Sequence, residues 1–439
     1  MFPKKLRSDA EACWKAGLAR VGAREATLRA LQDFPSVPDL IVATGKAAPA
    51  MVAAAVAQFP GVTTHVLTTE GTPGTDLAGA QIAFADHPIP SLQGFAASQH
   101  ILDAVARLGD GQHLLYLVSG GSSSLFEVPA DDLDPQEVIE AYRALVGSGL
   151  IITDINLVRG ALSKIKGGAV AAAAAPATVH TLAISDVPGD DPAVIGSGPT
   201  VARALDLRRL AIVAERLGAA LAPTVRARIQ AVLSQGPELP PQVPEFERRN
   251  DSGRVQVIAS ATDAALGAQA EAIARGYVPV RPAVVLEGEV SAVLADLAAQ
   301  IRIYRRRAGR HALIRAGETV VALPASPAEV GRGGRNLQLA LSLAANLAGT
   351  PCWAAAVAGT DGADGNSAVA GAVVDGATAA RVTSGYGSLQ GALGGFDSGR
   401  ALESAGDLLA TGPTGTNVGD LVVVLIEGDP GGAVSEQPC

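Results

Sequence analysis

Lysine is nearly missing from this 439-residue chain: it occurs only at positions 4, 5, 15, 46, 164 and 166, and arginine carries the rest of the basic charge. Aromatic residues make up 3% of the chain, charged residues 18%, and there are three cysteines. Each shortage excludes something. Cys13, Cys352 and Cys439 are widely spaced and odd in number, which gives neither a disulfide framework nor a zinc-ligand spacing. The net charge of −9, with no basic stripe, argues against a nucleic-acid partner. No long hydrophobic run is present. The stretch 169–184 is mostly alanine and is interrupted by Pro176 and His180, so a membrane span is not expected. The opening MFPKKLRSDAEACWK is basic but has no apolar run behind it, so no secretory signal is expected either. The expectation is a soluble, cytoplasmic protein with small-molecule partners, no membrane partner, and a homodimer left open.

What the chain does contain is 50 glycines, 27 prolines and a 48% hydrophobic content. Its length suggests two or three domains at about 100–200 residues each. Short apolar runs at 39–44, 65–69, 81–85, 114–118, 180–185, 255–260, 283–286, 311–315, 353–358 and 421–426 read as strands. Ala/Leu-rich stretches between them, such as 47–59, 135–146, 155–174, 263–275 and 289–307, read as helices. Strands this apolar, alternating with helices, predict an α/β fold of parallel strands covered on both faces. The Pro-rich, charged stretch 233–254 reads as a linker or a crossover between two α/β domains.

In such sheets ligands bind beyond the carboxyl ends of the strands, and those loops are rich here. The first strand ends in Thr44-Gly45-Lys46 and runs straight into a helix, a setting in which free N–H groups, the helix dipole and the ammonium all favour an anion. Because lysine is used so sparingly, a compact ammonium at position 46 points to function, although a glycine turn with an incidental lysine would look the same. The fourth strand ends in Ser119-Gly120-Gly121-Ser122-Ser123-Ser124, a nest-like loop suited to phosphate oxygens but lacking the GK[ST] ending of a Walker A loop. Read as one helix, 155–174 would put Arg159, Ser163 and Lys166 on a single face, able to grip a carboxylate or phosphate, or simply to form a solvated basic face. The fifth strand runs into Asp186, with Asp190 and Asp191 as weaker candidates. A carboxylate at a strand end suits Mg²⁺, which takes one or two carboxylates plus water and phosphate oxygens.

In the second half, Gly331-Arg332-Gly333-Gly334-Arg335-Asn336 opens a helix and offers two guanidinium groups as a phosphate clamp. The loops 359–365, with Asp361, and 411–417 are further Gly-rich strand-end turns. No GxGxxG loop follows a strand and opens a helix, and neither GxSxG nor HExxH occurs, so a standard dinucleotide site is not supported. His87, in DHPIP, reads as a structural histidine.

Taken together, ATGKAAPAM (43–51), DHPIP (86–90), LVSGGSSSLFEVP (117–129), NLVRGALSKIKGG (156–168), ISDVPGDDPAVIGSGPT (184–200), GRGGRN (331–336), GTDGADG (359–365), AGAVVDG (370–376) and TGPTGTNVGDL (411–421) resemble the glycerate 2-kinase family, whose C-terminal half is called the MOFRL domain. The resemblance spans about residues 20–428. It implies two α/β domains, 1–240 and 250–439, the larger a Rossmann-like three-layer parallel sheet, with the active site in the interdomain cleft. It further implies ATP- and Mg²⁺-dependent phosphorylation of D-glycerate at the 2-hydroxyl, with Lys46 and Arg335 matching active-site residues of the family. Some members carry the name hydroxypyruvate reductase, and that activity, or a catalytically silent nucleotide- or sugar-acid-binding protein, stands as the alternative. The chain departs from the family where Ser122 replaces a common glycine and where Leu337 and Gln338 replace a common Gln-Glu pair.

Phosphoryl transfer needs in-line positioning and charge neutralisation more than covalent help. The expected roles follow. The loop of Ser119, Gly120, Gly121, Ser122 and Ser123 cradles the nucleotide phosphates. Asp186 and Asp361 hold Mg²⁺, and either could serve as base. Lys46 and Arg335 stabilise the transferring phosphoryl group, while Arg159 and Lys166 meet the substrate carboxylate.

Overall fold

The computed structural model describes residues 4–235, 254–280, 285–321 and 330–428. The chain forms two compact units, Ala23–Ile258 and a second one made of Met1–Gly22 with Ala259–Cys439. The expected linker at 233–254 lies almost wholly outside the described residues, as does the start of the strand expected at 283–286.

The first unit is built on a six-stranded sheet. Its strands are β1 (Leu40–Thr44), β2 (Thr63–Thr68), β3 (Ala80–Phe84), β4 (His113–Val118), β5 (Thr178–Ile184) and β6 (Val255–Ala259), in the order β3-β2-β1-β4-β5-β6. The pairs β1/β2, β1/β4, β2/β3 and β4/β5 are all parallel. Every residue of β1 is buried, as expected of a strand with helices on both faces. Leu40, Val42, Leu114, Tyr116 and Val118 contribute to one apolar core with Val170 and Ile195. The strand order is that of a doubly wound sheet, and it reverses between β1 and β4, where such folds bind their ligands.

The second unit departs from the all-parallel expectation. Its strands are β7 (Val278–Pro279), β8 (Leu286–Glu289), β9 (Gly309–Val320), β10 (Trp353–Gly359), β11 (Gly371–Asp375), β12 (Leu408–Leu409) and β13 (Asp420–Gly428). The pairs β10/β11, β10/β13, β11/β12 and β13/β9 are antiparallel, and only β7 and β8 run parallel to β9. The sequence misleads here because helices cover both faces, so the strands are apolar throughout whatever their direction. Trp353, Ala355 and Val357 face a core built with Leu337, Leu341 and Leu297. The alternate residues, Ala354, Ala356 and Ala358, are small and leave room for the helix Lys4–Arg20 on the other face, where Trp14 Nε1 donates to the carbonyl of Ala358 at 3.3 Å. A Cβ on Gly17 would lie 2.7 Å from the carbonyl oxygen of Ala264, and one on Gly267 would lie 2.9 Å from that of Ala16. Small residues therefore let this helix pack closely on Ala261–Ala274, which places the first helix of the chain in the second unit.

Cys13 is buried and free, whereas Cys352 is disulfide-bonded, contrary to the expectation of no disulfide. Among the described residues no helix is long and apolar enough to cross a membrane.

Candidate functional site

At the switch point of the parallel sheet two loops are stitched together by their backbones. Ser119 N donates to Thr44 O at 3.0 Å, Lys46 N to Gly120 O at 3.0 Å, and Ala47 N to Ser119 Oγ at 3.0 Å. Gly45 has φ +116°, and a Cβ there would fall 2.4 Å from Ser119 Oγ, so glycine is required for the two loops to meet. Ser122 Oγ lies 2.7 Å from Thr44 Oγ1, which in turn lies 2.8 Å from the Tyr116 hydroxyl. The serine that replaces the family's glycine thus joins a buried hydroxyl chain under the loop. Ser123 Oγ pairs with Ser197 Oγ at 2.7 Å and Ser124 Oγ donates to Gly121 O at 3.3 Å. The hydroxyls expected to cradle phosphates are thereby engaged within the protein. The backbone N–H groups of Gly120, Gly121 and Ser123 donate to no group among the described residues, so they are the donors the loop retains.

Lys46 follows directly and is half-buried, yet its ammonium makes no hydrogen bond or ion pair with any described residue. A Cβ on Gly121 would lie 3.3 Å from Lys46 Cγ and 3.4 Å from His87 Cδ2. These contacts bring the ends of β1, β3 and β4 together around one glycine. His87 is open to solvent at the loop surface but crowded by protein, and this desolvation, with the positive charges of Lys46 and Arg159, pushes its imidazole down to about 4. The structural histidine expected from the sequence is in fact an imidazole with no hydrogen bond to the described residues, beside an unpaired lysine. The signal that could have found it was its place just after an apolar strand, the same rule that picked out Lys46.

The basic stripe expected on one helix does not form. The helix Ile152–Leu162 stops at Ser163, whose backbone is extended, and Gly167 and Gly168 take φ +63° and +92° before the short helix Ala169–Ala174. Gly168 is pressed against Ala202, where a Cβ would meet backbone at 2.8 Å, so the helix cannot run through. Lys166 sits in this turn and is buried. Its Nζ donates to the Ser123 carbonyl at 2.8 Å and to Glu127 Oε2 at 2.7 Å. Glu127 also accepts from the hydroxyl of Tyr142, whose titration is driven well above its ordinary value by burial and by the Glu127 charge. Burial draws the Lys166 ammonium below its ordinary value while Glu127 opposes that shift. Lys166 therefore supports the glycine-rich loop from beneath, and its charge is already matched. Glu127 was missed in the sequence, although a lone carboxylate inside the apolar LFEVP run was a detectable signal.

Arg159 is different. It is 7% exposed, stacks its guanidinium 4.6 Å from the centroid of the Tyr142 ring, and has a buried Nε without a hydrogen-bond partner. Among the described residues it has no ion pair at all. A buried guanidinium without an anion is costly, and the arrangement can accept one. Asp186 follows β5 and is half-buried. Of its weaker neighbours, Asp191 accepts from Ala193 N at 2.9 Å.

In the second unit the loops 331–336, 359–365 and 411–420 meet at one end of the sheet. Asp364 accepts from Asn336 N at 3.1 Å and Leu337 N at 2.8 Å, capping the helix Arg335–Asn346. Burial pushes Asp364 up to about 6, with the Asp420 charge adding to the shift against those hydrogen bonds. Arg335 donates to both oxygens of the buried Asp420, at 2.7 and 3.1 Å, and to Glu318. Two of its five N–H groups remain for a ligand. Arg332 lies before the helix and pairs with Glu403, so the expected clamp of two guanidinium groups reduces to Arg335. Asp361 is half-buried and accepts from Ala363 N at 3.1 Å. Gln338 donates to the Leu393 carbonyl at 3.1 Å.

Among the described residues no three His, Cys, Asp or Glu side chains gather as a metal site.

Residues 9–232 match the model of a domain of unknown function (DUF4147), and residues 311–420 match that of the MOFRL family. A protein of Agrobacterium vitis named "Putative hydroxypyruvate reductase" is 36% identical over 94% of this chain and 92% of its own length. The D-glycerate 2-kinase of Thermotoga maritima is 34% identical over 88% of this chain and 90% of its own length. The crystal structure of glycerate kinase (EC 2.7.1.31) from Thermotoga maritima matches with a TM-score of 0.85 at 32% identity, covering 97% of this chain and 100% of that one.

Proposed function

We propose, from the premise that the chain belongs to the glycerate 2-kinase family with its MOFRL domain, that it transfers the γ-phosphoryl group of ATP to the 2-hydroxyl of D-glycerate, giving 2-phosphoglycerate and ADP. The observation that carries this reading is the pair of cations at the switch point, the half-buried Lys46 and the buried Arg159, neither of which has a counter-ion among the described residues. Nucleotide and glycerate supply the missing negative charge. Lys46 is assigned to the transferring phosphoryl group and Arg159 to the substrate carboxylate. The backbone N–H groups of Gly120 and Gly121 are assigned to phosphate oxygens, on a loop that Ser119, Ser122, Ser123 and Lys166 hold in shape. Arg335 keeps the phosphoryl contact that the family resemblance gives it. Asp186 and Asp361 are the carboxylates offered to Mg²⁺, which when bound would neutralise phosphate charge.

The test is ³¹P NMR of the purified protein with ATP, Mg²⁺ and D-glycerate. A phosphomonoester signal matching 2-phosphoglycerate is expected. A 3-phosphoglycerate signal would keep the kinase and overturn the position of transfer. Oxidation of NADH or NADPH by hydroxypyruvate without phosphoryl transfer would favour the reductase name carried by the Agrobacterium vitis relatives, although the first strand turn, Thr44-Gly45-Lys46, lacks a dinucleotide-binding glycine pattern.

A further inference from the structure

A hydroxyl that attacks phosphorus must lose its proton, and none of the roles above receives it. The candidates from the sequence were Asp186 and Asp361. We infer that His87 takes this proton: its imidazole lies against Gly121 of the glycine-rich loop and beside Lys46, at the carboxyl edge of the parallel sheet, and makes no hydrogen bond to any described residue. The inference rests on the kinase reading of this site.

Three observations support it. First, the contact geometry puts the ring edge that carries Nε2 next to the loop. A Cβ on Gly121 would lie 3.4 Å from His87 Cδ2 and 3.6 Å from Nε2, so this edge of the ring stands within van der Waals reach of the loop. Second, a Cβ on the same glycine would lie 3.3 Å from Lys46 Cγ, so the stem of the lysine assigned to the phosphoryl group runs beside the same glycine as the His87 ring. Third, the charges that bear on His87 are both positive, Lys46 and Arg159, and with the crowding of the ring by protein they keep it neutral at ordinary pH, the state in which it can accept a proton. A weak base suffices, because in a loose phosphoryl-transfer transition state the hydroxyl becomes acidic only as its bond to phosphorus forms. In the step, the substrate oxygen forms a bond to the γ-phosphorus and the bond from that phosphorus to the β–γ bridging oxygen breaks. The electron pair stays on the ADP oxygen, the hydroxyl proton passes to the His87 ring, and the ring returns it to water.

The experiment compares wild type, His87→Ala and His87→Gln in the full chain, using ADP release with Mg²⁺, ATP and D-glycerate, and ATP binding by calorimetry. The side chain is at the surface, and His87→Gln preserves hydrogen-bonding capacity if His87→Ala is poorly folded. The expected result is a loss in kcat of about 10²–10⁴-fold in both variants, the usual scale for a general base. ATP affinity should be unchanged within about twofold, and added imidazole should restore part of the His87→Ala rate in proportion to its neutral form. Near-wild-type kcat in His87→Ala, full activity in His87→Gln, or a loss confined to ATP affinity would each overturn the inference while leaving the kinase reading in place. Failure of the wild type itself to phosphorylate glycerate would remove the kinase reading and this inference with it.

Discussion

Lys166 and Arg159 are two buried cations within one cluster, and their environments predict opposite responses to the same change, replacement by methionine. Lys166 is paired: its Nζ lies 2.7 Å from Glu127 Oε2, with side-chain exposures of 3% and 1%. Removing one partner of such a pair leaves the other charge buried alone, which costs about 3–5 kcal/mol. For a unit of this size that lowers the melting temperature by roughly 6–20 °C at about 2–4 °C per kcal/mol. Arg159 has no partner to strand. Replacing it loses a cation–π contact of about 0.5–2 kcal/mol. It also removes an unsatisfied buried donor whose presence costs about 1–3 kcal/mol. Arg159→Met should therefore move the melting temperature of the ligand-free protein only between a fall of about 4 °C and a rise of about 10 °C, the net of about −1 to +2.5 kcal/mol. Ligand reverses the ranking. D-glycerate at a hundred times its dissociation constant stabilises the wild type by about 2.7 kcal/mol, and this shift should vanish in Arg159→Met. Differential scanning calorimetry with and without glycerate reads both quantities. If Arg159→Met melts as low as Lys166→Met, or keeps the glycerate shift, then Arg159 is an ordinary structural cation and the argument from its missing counter-ion fails.

Lys46→Ala and Arg335→Ala should each lower kcat by about 10²–10⁴-fold, the scale of losing an electrostatic donor to the transition state, and steady-state kinetics would show it. The melting temperature should change little in Lys46→Ala but fall in Arg335→Ala, which strips the buried Asp420 of its bidentate partner. Gly45→Ala should impair folding of the first unit, since its Cβ would sit 2.4 Å from Ser119 Oγ at φ +116°, and soluble yield and melting temperature are the measures. Gly61→Ala, at φ +83° with nothing near its Cβ, is the control for the left-handed backbone alone. For Asp364 the sign runs against the usual carboxylate. Its pKa rises from 3.8 to about 6 on folding, so its contribution is most favourable below about pH 4 and is lost as pH climbs through 6. Denaturant unfolding of Asp364→Asn should therefore gain on wild type between pH 4 and 7 by on the order of 2–3 kcal/mol, and a difference independent of pH would refute the raised pKa.

What the sequence made legible was the set of strand ends. Gly45-Lys46 and the loop 119–124 were found because a strand, a glycine and a helix in succession leave a recognisable trace, and the fold places both at the switch point. Side-chain duties were less legible, because they depend on what packs beneath. Lys166 and Arg159 look alike in NLVRGALSKIKGG, yet one is neutralised by Glu127, 39 residues earlier in the chain, and the other is not. The direction of the strands in the second unit was hidden for a different reason: burial sets the apolar pattern, and burial is the same for parallel and antiparallel strands covered on both faces. The placement of the helix Lys4–Arg20 in that unit rests on Gly17 meeting Ala264, a contact between residues nearly 250 positions apart that no local pattern announces.

The acidity of the chain and its proposed affinity for polyanions are reconciled by where counter-ions are withheld. With a net charge of −9, no long-range field draws phosphate in, so attraction must come from cations left unmatched at short range. Lys46 and Arg159 meet that condition and Arg335 does not. Asp420 holds Arg335 by both oxygens and Glu318 binds its other arm, so most of its charge is cancelled before any ligand arrives. What Arg335 retains is direction: a planar group locked in place by a bidentate partner, with N–H groups left to donate. The two residues that the family resemblance treats alike thus have different physics: Lys46 offers a free charge and Arg335 a fixed geometry. Exchanging lysine and arginine at either position would preserve the formal charge and still remove the property that each position supplies.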